Sequence, residues 1–208
     1  MQSLENHLVD RENGIIKLLD PPFDKSNLEP GYIKAYIPGT RENGGQYTHG
    51  AIWSIIAESM LGFGNKAGEL YRMINPIEHS RTKEAAKKYK VEPYVIAADI
   101  AGQKNLAGRG GWTWYTGSSS WMYEAGIKYL LGLRIENNIL HVEPCIPNDW
   151  KEYTINYQFG DSRYHIRVNN PNGKTSGVIS FKVNGEEIQE KQIVLNKNGG
   201  MYNIEVEM

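Results

Sequence analysis

The apolar periodicity of the chain changes at residue 133, and that change dictates a molecule in two parts. Upstream, apolar residues recur every three to four positions, the spacing of a helix with one buried stripe. Ile52, Ile55, Ile56, Met60 and Phe63 make one such stripe; Ala67, Leu70, Tyr71 and Ile74 make a second, with Asn65 as its cap and Pro76 as its stop. A third helix is expected from Glu92-Pro93 to about Ala101, Pro standing at the first helical position. A fourth carries Trp121, Met122, Ala125, Tyr129 and Leu130, closed by Gly132. Downstream the period falls to two. Leu133–Ile135 and Ile139–Val142 flank Asn137-Asn138, Tyr153–Phe159 and Tyr164–Val168 flank Gly160-Asp161, and Val178–Val183 and Glu187-Ile188 flank Asn184-Gly185. Each is a hairpin signature, so an antiparallel sheet of short strands is expected. A further small hairpin around Asn13-Gly14 precedes the helices.

The 208 residues suffice for one large or two small domains with a real core. Lys+Arg 23 against Asp+Glu 24 leaves a formal charge of −1, which excludes a global field for nucleic acid or an anionic membrane. No apolar run approaches the roughly 20 residues that span a bilayer. Cys145 is the sole cysteine, ruling out internal disulfides and cysteine zinc sites and fitting a reducing, cytoplasmic setting. The 22 Gly, 13 Tyr and 5 Trp put flat apolar faces beside close backbone, a composition suited to sugar rings.

Three segments are denser in functional side chains than a core requires. Pro38 to His49 places Glu42, Gln46, Tyr47 and His49 on a glycine-rich loop before a helix, although a capped, self-satisfied loop accounts for the same residues. Gly108 to Trp121 ends in Thr116, Gly117 and Ser118 where a helix begins, an arrangement of free amides and hydroxyls that takes oxyanions. A Ser/Thr cap explains part of it, but not Arg109 with the Trp-x-Trp-Tyr cluster. Glu92 and Asp99, seven apart, would share a helix face about 10 Å apart, loosely compatible with an inverting carboxylate pair, although a structural role is the commoner one. There is no phosphate-binding Gly-x-x-x-x-Gly-Lys, no Gly-x-Gly-x-x-Gly and no Gly-x-Ser-x-Gly elbow. The five histidines lack metal-ligand spacing, and Arg81 to Lys90 reads as a solvated helix face.

In that order, Arg41-Glu-Asn-Gly-Gly-Gln-Tyr-Thr-His49, Glu92-Pro-Tyr-Val95 and Gly108-Arg-Gly-Gly-Trp-Thr-Trp-Tyr-Thr-Gly-Ser118 resemble glycoside hydrolase family 94, formerly glycosyltransferase family 36. That family holds cellobiose and chitobiose phosphorylases and the phosphorylase-like region of cyclic β-1,2-glucan synthases. The resemblance covers nearly the whole chain and implies an α+β fold: the last helices of an (α/α)6 toroid over residues 1–132, then an antiparallel β domain over 133–208. It implies phosphorolysis with inversion, in which phosphate attacks the anomeric carbon of a β-glucoside and releases α-sugar 1-phosphate. No cofactor is implied beyond inorganic phosphate as co-substrate. His49, Thr116 and Gly117 match the family's phosphate-holding residues, and Glu42 a sugar-binding acid; Gln46, Arg109 and Tyr115 match less directly as supporting sugar contacts. The family's general acid lies in an Asp-Trp-Asn-Asp-like segment with no counterpart here, since Asp149-Trp150 falls in the β region. The chain is therefore expected to be a truncated or split piece, inactive alone and completed by an upstream polypeptide or by self-association. A non-catalytic carbohydrate-binding module, with Trp112, Trp114 and Trp121 exposed, is the alternative. A stand-alone inverting glycosidase using Glu92 and Asp99 is a third reading.

Overall fold

The computed structural model describes residues 1–208, which divide into two compact units: Met1–Ala57 with Glu69–Tyr123, and Glu58–Gly68 with Glu124–Met208. The chain is α+β, a helical portion followed by C-terminal sheets. No helix is long and apolar enough to cross a membrane.

The chain opens with helix α1 (Gln2–His7) and a hairpin of β1 (Val9–Asp10) and β2 (Ile15–Ile16), turning at Asn13-Gly14 as expected. A long irregular segment follows, with 3-10 turns at Phe23–Lys25 and Gly31–Ala35. It leads to strand β3 (Gln46–Tyr47) and directly into helix α2 (Thr48–Met60). On α2 the stripe is real at Ile52, Ile55 and Ile56, which are buried, but it stops there: Met60 and Phe63 are exposed. Helix α3 (Gly64–Met73) buries Ala67 and Leu70, with Ile74 just beyond it. Asn65 lies inside its first turn rather than capping it, and its Oδ1 accepts a hydrogen bond from the Asn148 backbone N–H. Helices α4 (Pro76–His79) and α5 (Lys83–Tyr89) are short; Asn75 caps the first and Thr82 the second, each side chain accepting from a backbone N–H two or three residues on.

The helix expected over Glu92–Ala101 does not form. Glu92 opens a turn, its carbonyl accepting from the Val95 N–H, and Asp99–Ile100 is strand β4, paired antiparallel with β3. Pro93 supplies a local helix-start signal, but the backbone of 98–100 is claimed on both sides by other segments, and tertiary pairing overrides propensity. Glu92 and Asp99 accordingly share no helix face, which removes the geometric basis for a glycosidase carboxylate pair. Ile15, Tyr89, Ala97 and Ile100 cluster beneath this region.

The fourth helix starts as α6 (Ser118–Glu124) and widens into π-helical turns over Ala125–Leu130 before Gly132 ends it at φ +74. The second unit then builds two sheets. One is three-stranded, with β5 (Leu133–Glu136) and β6 (Ile139–Val142) as a hairpin over Asn137-Asn138, both of positive φ. The other contains β7 (Glu152–Phe159), β8 (Ser162–Asn169), β9 (Ser180–Val183) and β10 (Glu186–Glu187). Strand β11 (Gln192–Val194) joins β6, and β12 (Met201–Glu207) enters the larger sheet, giving the order β10-β9-β12-β8-β7. All pairings are antiparallel except β12 with β8, which run parallel from Met201↔Arg163 to Glu207↔Asn169. Strand β8 alternates buried and exposed residues along its length. Its inward side chains, Tyr164, Ile166 and Val168, pack with Leu140, Phe181 and Val206 in one core.

Candidate functional site

Backbone hydrogen bonds bring the three sequence segments together in the first unit. Gln46 and Tyr47 of β3 pair with Ile100 and Asp99 of β4. On the other side of β4 the glycine-rich segment runs alongside: Ala98 N–H donates to the Trp112 carbonyl, Gly111 N–H to Asp99, Ala101 N–H to Arg109 and Gly108 N–H to Ala101, all between 2.7 and 2.9 Å. A three-strip ribbon results, with β4 in the middle. His49 leaves one edge of it and Thr116–Gly117 continue from the other.

These two ends meet. A Cβ placed on Gly117 would stand 3.2 Å from His49 Nε2, so the absence of a side chain there lets the imidazole face bare backbone. The His49 ring is stacked on Tyr47, centroids 5.2 Å apart at 19°, which fixes its plane. Its Nδ1 is buried without a hydrogen-bond partner. Thr116 forms the turn into α6: its hydroxyl accepts from the Ser118 N–H at 3.2 Å and lies 2.7 Å from the Ser118 hydroxyl. Imidazole, hydroxyls and accessible backbone together form a donor set able to hold an oxyanion.

The remaining candidates separate into exposed and structural groups. Glu42 is largely buried beside Arg41, whose Nε is 3.8 Å from Glu42 Oε2; neither atom makes a hydrogen bond within the protein. Arg41 also lies over the Tyr36 ring, 5.4 Å from its centroid. Arg109 and Tyr115 are exposed. Gln46 is wholly buried: its Oε1 accepts from the Ile16 N–H and its Nε2 donates to Thr48 Oγ1. Both ends of that amide are engaged by protein, so Gln46 fixes the loop and presents nothing to a sugar.

Asn43 and Asp99 emerge as organisers that sequence reasoning passed over or misassigned. Asn43 is buried, accepting from the Phe23 N–H at 2.8 Å and donating to the Tyr36 carbonyl at 2.7 Å, and so ties three stretches of loop together. Asp99 is buried in β4, and its Oδ1 accepts from the Trp112 N–H at 3.1 Å. A Cβ on Gly111 would lie 2.2 Å from Asp99 Oδ2, so this glycine makes room for the carboxylate.

Residues 1–132 match the glycosyl hydrolase 94 superfamily, catalytic domain. The chain belongs to that superfamily. Residues 133–189 match glycosyl hydrolase family 65, C-terminal domain. This glycosyl hydrolase 94 chain is 43% identical over 180 residues to cyclic β-(1,2)-glucan synthase NdvB of Rhizobium meliloti (strain 1021), an alignment covering 86% of the chain and 6% of that protein. It is 33% identical over 190 residues to N,N'-diacetylchitobiose phosphorylase of Vibrio proteolyticus, covering 91% of the chain and 23% of the relative. Solabiose phosphorylase of Paenibacillus borealis is 30% identical over 215 residues, with 100% of the chain and 27% of the relative aligned. The glycosyl hydrolase 94 chain thus spans between 6% and 27% of the length of these relatives.

Proposed function

We propose that these 208 residues form the phosphate-holding part of an inverting β-glucoside phosphorylase or phosphorylase-like glucan-processing site. Phosphate attacks the anomeric carbon, the glycosidic C–O bond breaks, and α-sugar 1-phosphate leaves as the second sugar takes a proton. The approach of His49 to Gly117 carries this reading, because it joins two segments that share no local reason to meet. Phosphate arrives already ionised and needs no general base, so the work of this region is to hold and orient it. His49, the Thr116 hydroxyl and the Gly117 backbone do so. Glu42, Arg109 and Tyr115 contact the sugar, and Gln46 supports the loop from behind.

The proton donor lies outside these residues. The helices of residues 1–132 belong to an (α/α)6 ring with residues 133–208 as a C-terminal β domain. An upstream polypeptide, or a second copy, completes the pocket. A general acid contributes about 10² to 10⁴ in rate, so the 208 residues alone release no detectable sugar 1-phosphate from a β-1,2-glucan. Titration with inorganic phosphate, followed by ³¹P NMR, is the direct test. Saturable binding that His49→Ala abolishes is expected. Binding unaffected by that change, or phosphorolysis by the isolated chain, overturns the proposal.

A further inference from the structure

Strand β7 is the outer strand of the larger sheet, with β8 on one side and no strand on the other. Its eight residues make it at least twice as long as any other sheet-edge strand of this unit: β10 has two residues, β11 three and β5 four. Edge strands are ordinarily short, broken by proline or a bulge, or studded with charge, because their free N–H and C=O groups recruit other strands. Strand β10 follows that practice with Glu186 and Glu187, both exposed. Strand β7 does not. It has no proline and no lysine, and it pairs one-to-one with β8 from Glu152↔Asn169 to Phe159↔Ser162 without a bulge. The Asn170 N–H donates to the Lys151 carbonyl at 2.7 Å, and bonding alternates along an antiparallel pair, so Tyr153, Ile155, Tyr157 and Phe159 turn their backbone groups toward β8. Glu152, Thr154, Asn156 and Gln158 turn theirs away. The side chains divide in the same way: exposed for the second set, half-buried against the core for the first.

This edge is its own complement. Glu152-Tyr-Thr-Ile-Asn-Tyr-Gln158 runs polar, Tyr, polar, Ile, polar, Tyr, polar in either direction. A second copy laid antiparallel along the free edge, with Ile155 on the two-fold axis, therefore meets its like at every step. Glu152 pairs with the partner's Gln158 and Thr154 with the partner's Asn156, a register that engages every outward N–H and carbonyl of these residues in both copies. Tyr153 lies beside the partner's Tyr157 on the apolar side, in the closer, non-hydrogen-bonded positions where aromatic cross-strand pairs interact. Glu152 is the strand's single charge, and the register sets it against an amide rather than a second carboxylate. We propose that β7 is a dimerisation edge: two copies of the chain pair antiparallel through it, centred on Ile155, and join their larger sheets into one. The strand lies in the second unit, and the proposal is independent of the anion site and of the phosphorylase reading. One strand pair buries little surface for a protein interface, so the dimer is a weak one, with Kd on the order of 10 µM.

Sedimentation equilibrium of the 208-residue chain, from about 1 µM to about 1 mM, is expected to show monomer passing to a closed dimer and no larger species. Over the same range, hydrogen exchange read by NMR slows at the Thr154 and Asn156 amides, while those of Ile155 and Tyr157 are protected throughout. Thr154→Pro removes one outward N–H and leaves the ladder to β8 whole, since an edge strand accepts proline where its N–H faces solvent. It is expected to raise Kd at least about tenfold, with the melting temperature of the dilute protein near the parent's. Ile155→Cys reports the register: opposed Cα atoms in a non-hydrogen-bonded pair stand about 4.5 Å apart, within disulfide reach, so mild oxidation links two copies. Asn156→Cys, across from Thr154 and on the other face, does not link. Cys145 is buried and stays out of the reaction. A monomer at every concentration, with fast exchange at Thr154 and Asn156, overturns the proposal and leaves the edge to a strand of different sequence. A dimer that survives Thr154→Pro, or that Ile155→Cys fails to link, overturns it equally.

Discussion

His49 works through its surroundings as much as through its own ring: Tyr47 sets the plane and Gly117 leaves the space. Gly117→Ala isolates that second contribution. Its methyl would stand 3.2 Å from Nε2, where the imidazole must give way or block the anion. The expected outcome is at least about tenfold weaker phosphate binding by calorimetry, with a melting temperature near the parent's because the position is exposed. His79 is a contrasting imidazole. It stacks on Tyr89 at 4.8 Å, and burial pushes its pKa below 6.5, with Lys88 adding to the effect. The unfolded chain binds that proton more readily than the folded one, so stability falls as pH drops through 6.5 toward the lower folded value. Denaturant titrations at pH 7 and 5.5 should show the loss, at a slope of at most ~1.4 kcal/mol per pH unit, and His79→Gln should flatten it. Cys145 is inert for a related reason: it is buried and its thiol is pushed up to about 11. Labelling with a thiol reagent at neutral pH should be slow until the protein is unfolded.

At the scale of elements, the ribbon of β3, β4 and residues 108–112 decides whether the site exists. Asp99 sits at its centre, accepting from Trp112 N–H and filling the space left by Gly111. Asp99→Ala is expected to cost about 1–3 kcal/mol, because the Trp112 N–H loses its acceptor. Asp99→Asn keeps an oxygen in place and should cost less, a difference that chemical denaturation resolves. The sequence made local elements legible and long-range ones not. Helices α2 and α3 and the hairpins at Asn13-Gly14, Asn137-Asn138 and Gly160-Asp161 declare themselves by period and turn residues close in the chain. The two-residue strands β3 and β4 have no periodicity to display and exist only because each finds the other across more than fifty residues. The segment around Glu92–Ala101 carried a helix signal that this pairing overrode. The motif residues were likewise legible one segment at a time. Their convergence, and the structural roles of Asn43, Gln46 and Asp99, depended on backbone groups far away in the chain: those of Phe23 and Tyr36 for Asn43, Ile16 for Gln46 and Trp112 for Asp99.

The second unit is organised around residues with no part in the proposed chemistry. Phe181 is wholly buried among Leu140, Tyr164, Ile166 and Val206. Phe181→Ala should cost about 3–5 kcal/mol in unfolding free energy, read by thermal or urea denaturation. The larger sheet has an unexpected seam. Strand β12 lies between the β9–β10 and β7–β8 hairpins, parallel to β8 and antiparallel to β9, and Met208 after it is buried. Those seven residues emerge from the ribosome after everything they join. While the chain is being made, the two hairpins wait with raw edges and half a hydrophobic floor, exposed to stray pairing with other nascent chains. Deleting residues 201–208 would remove the keystone rather than a fringe, leaving two loose flaps where one layer should have closed.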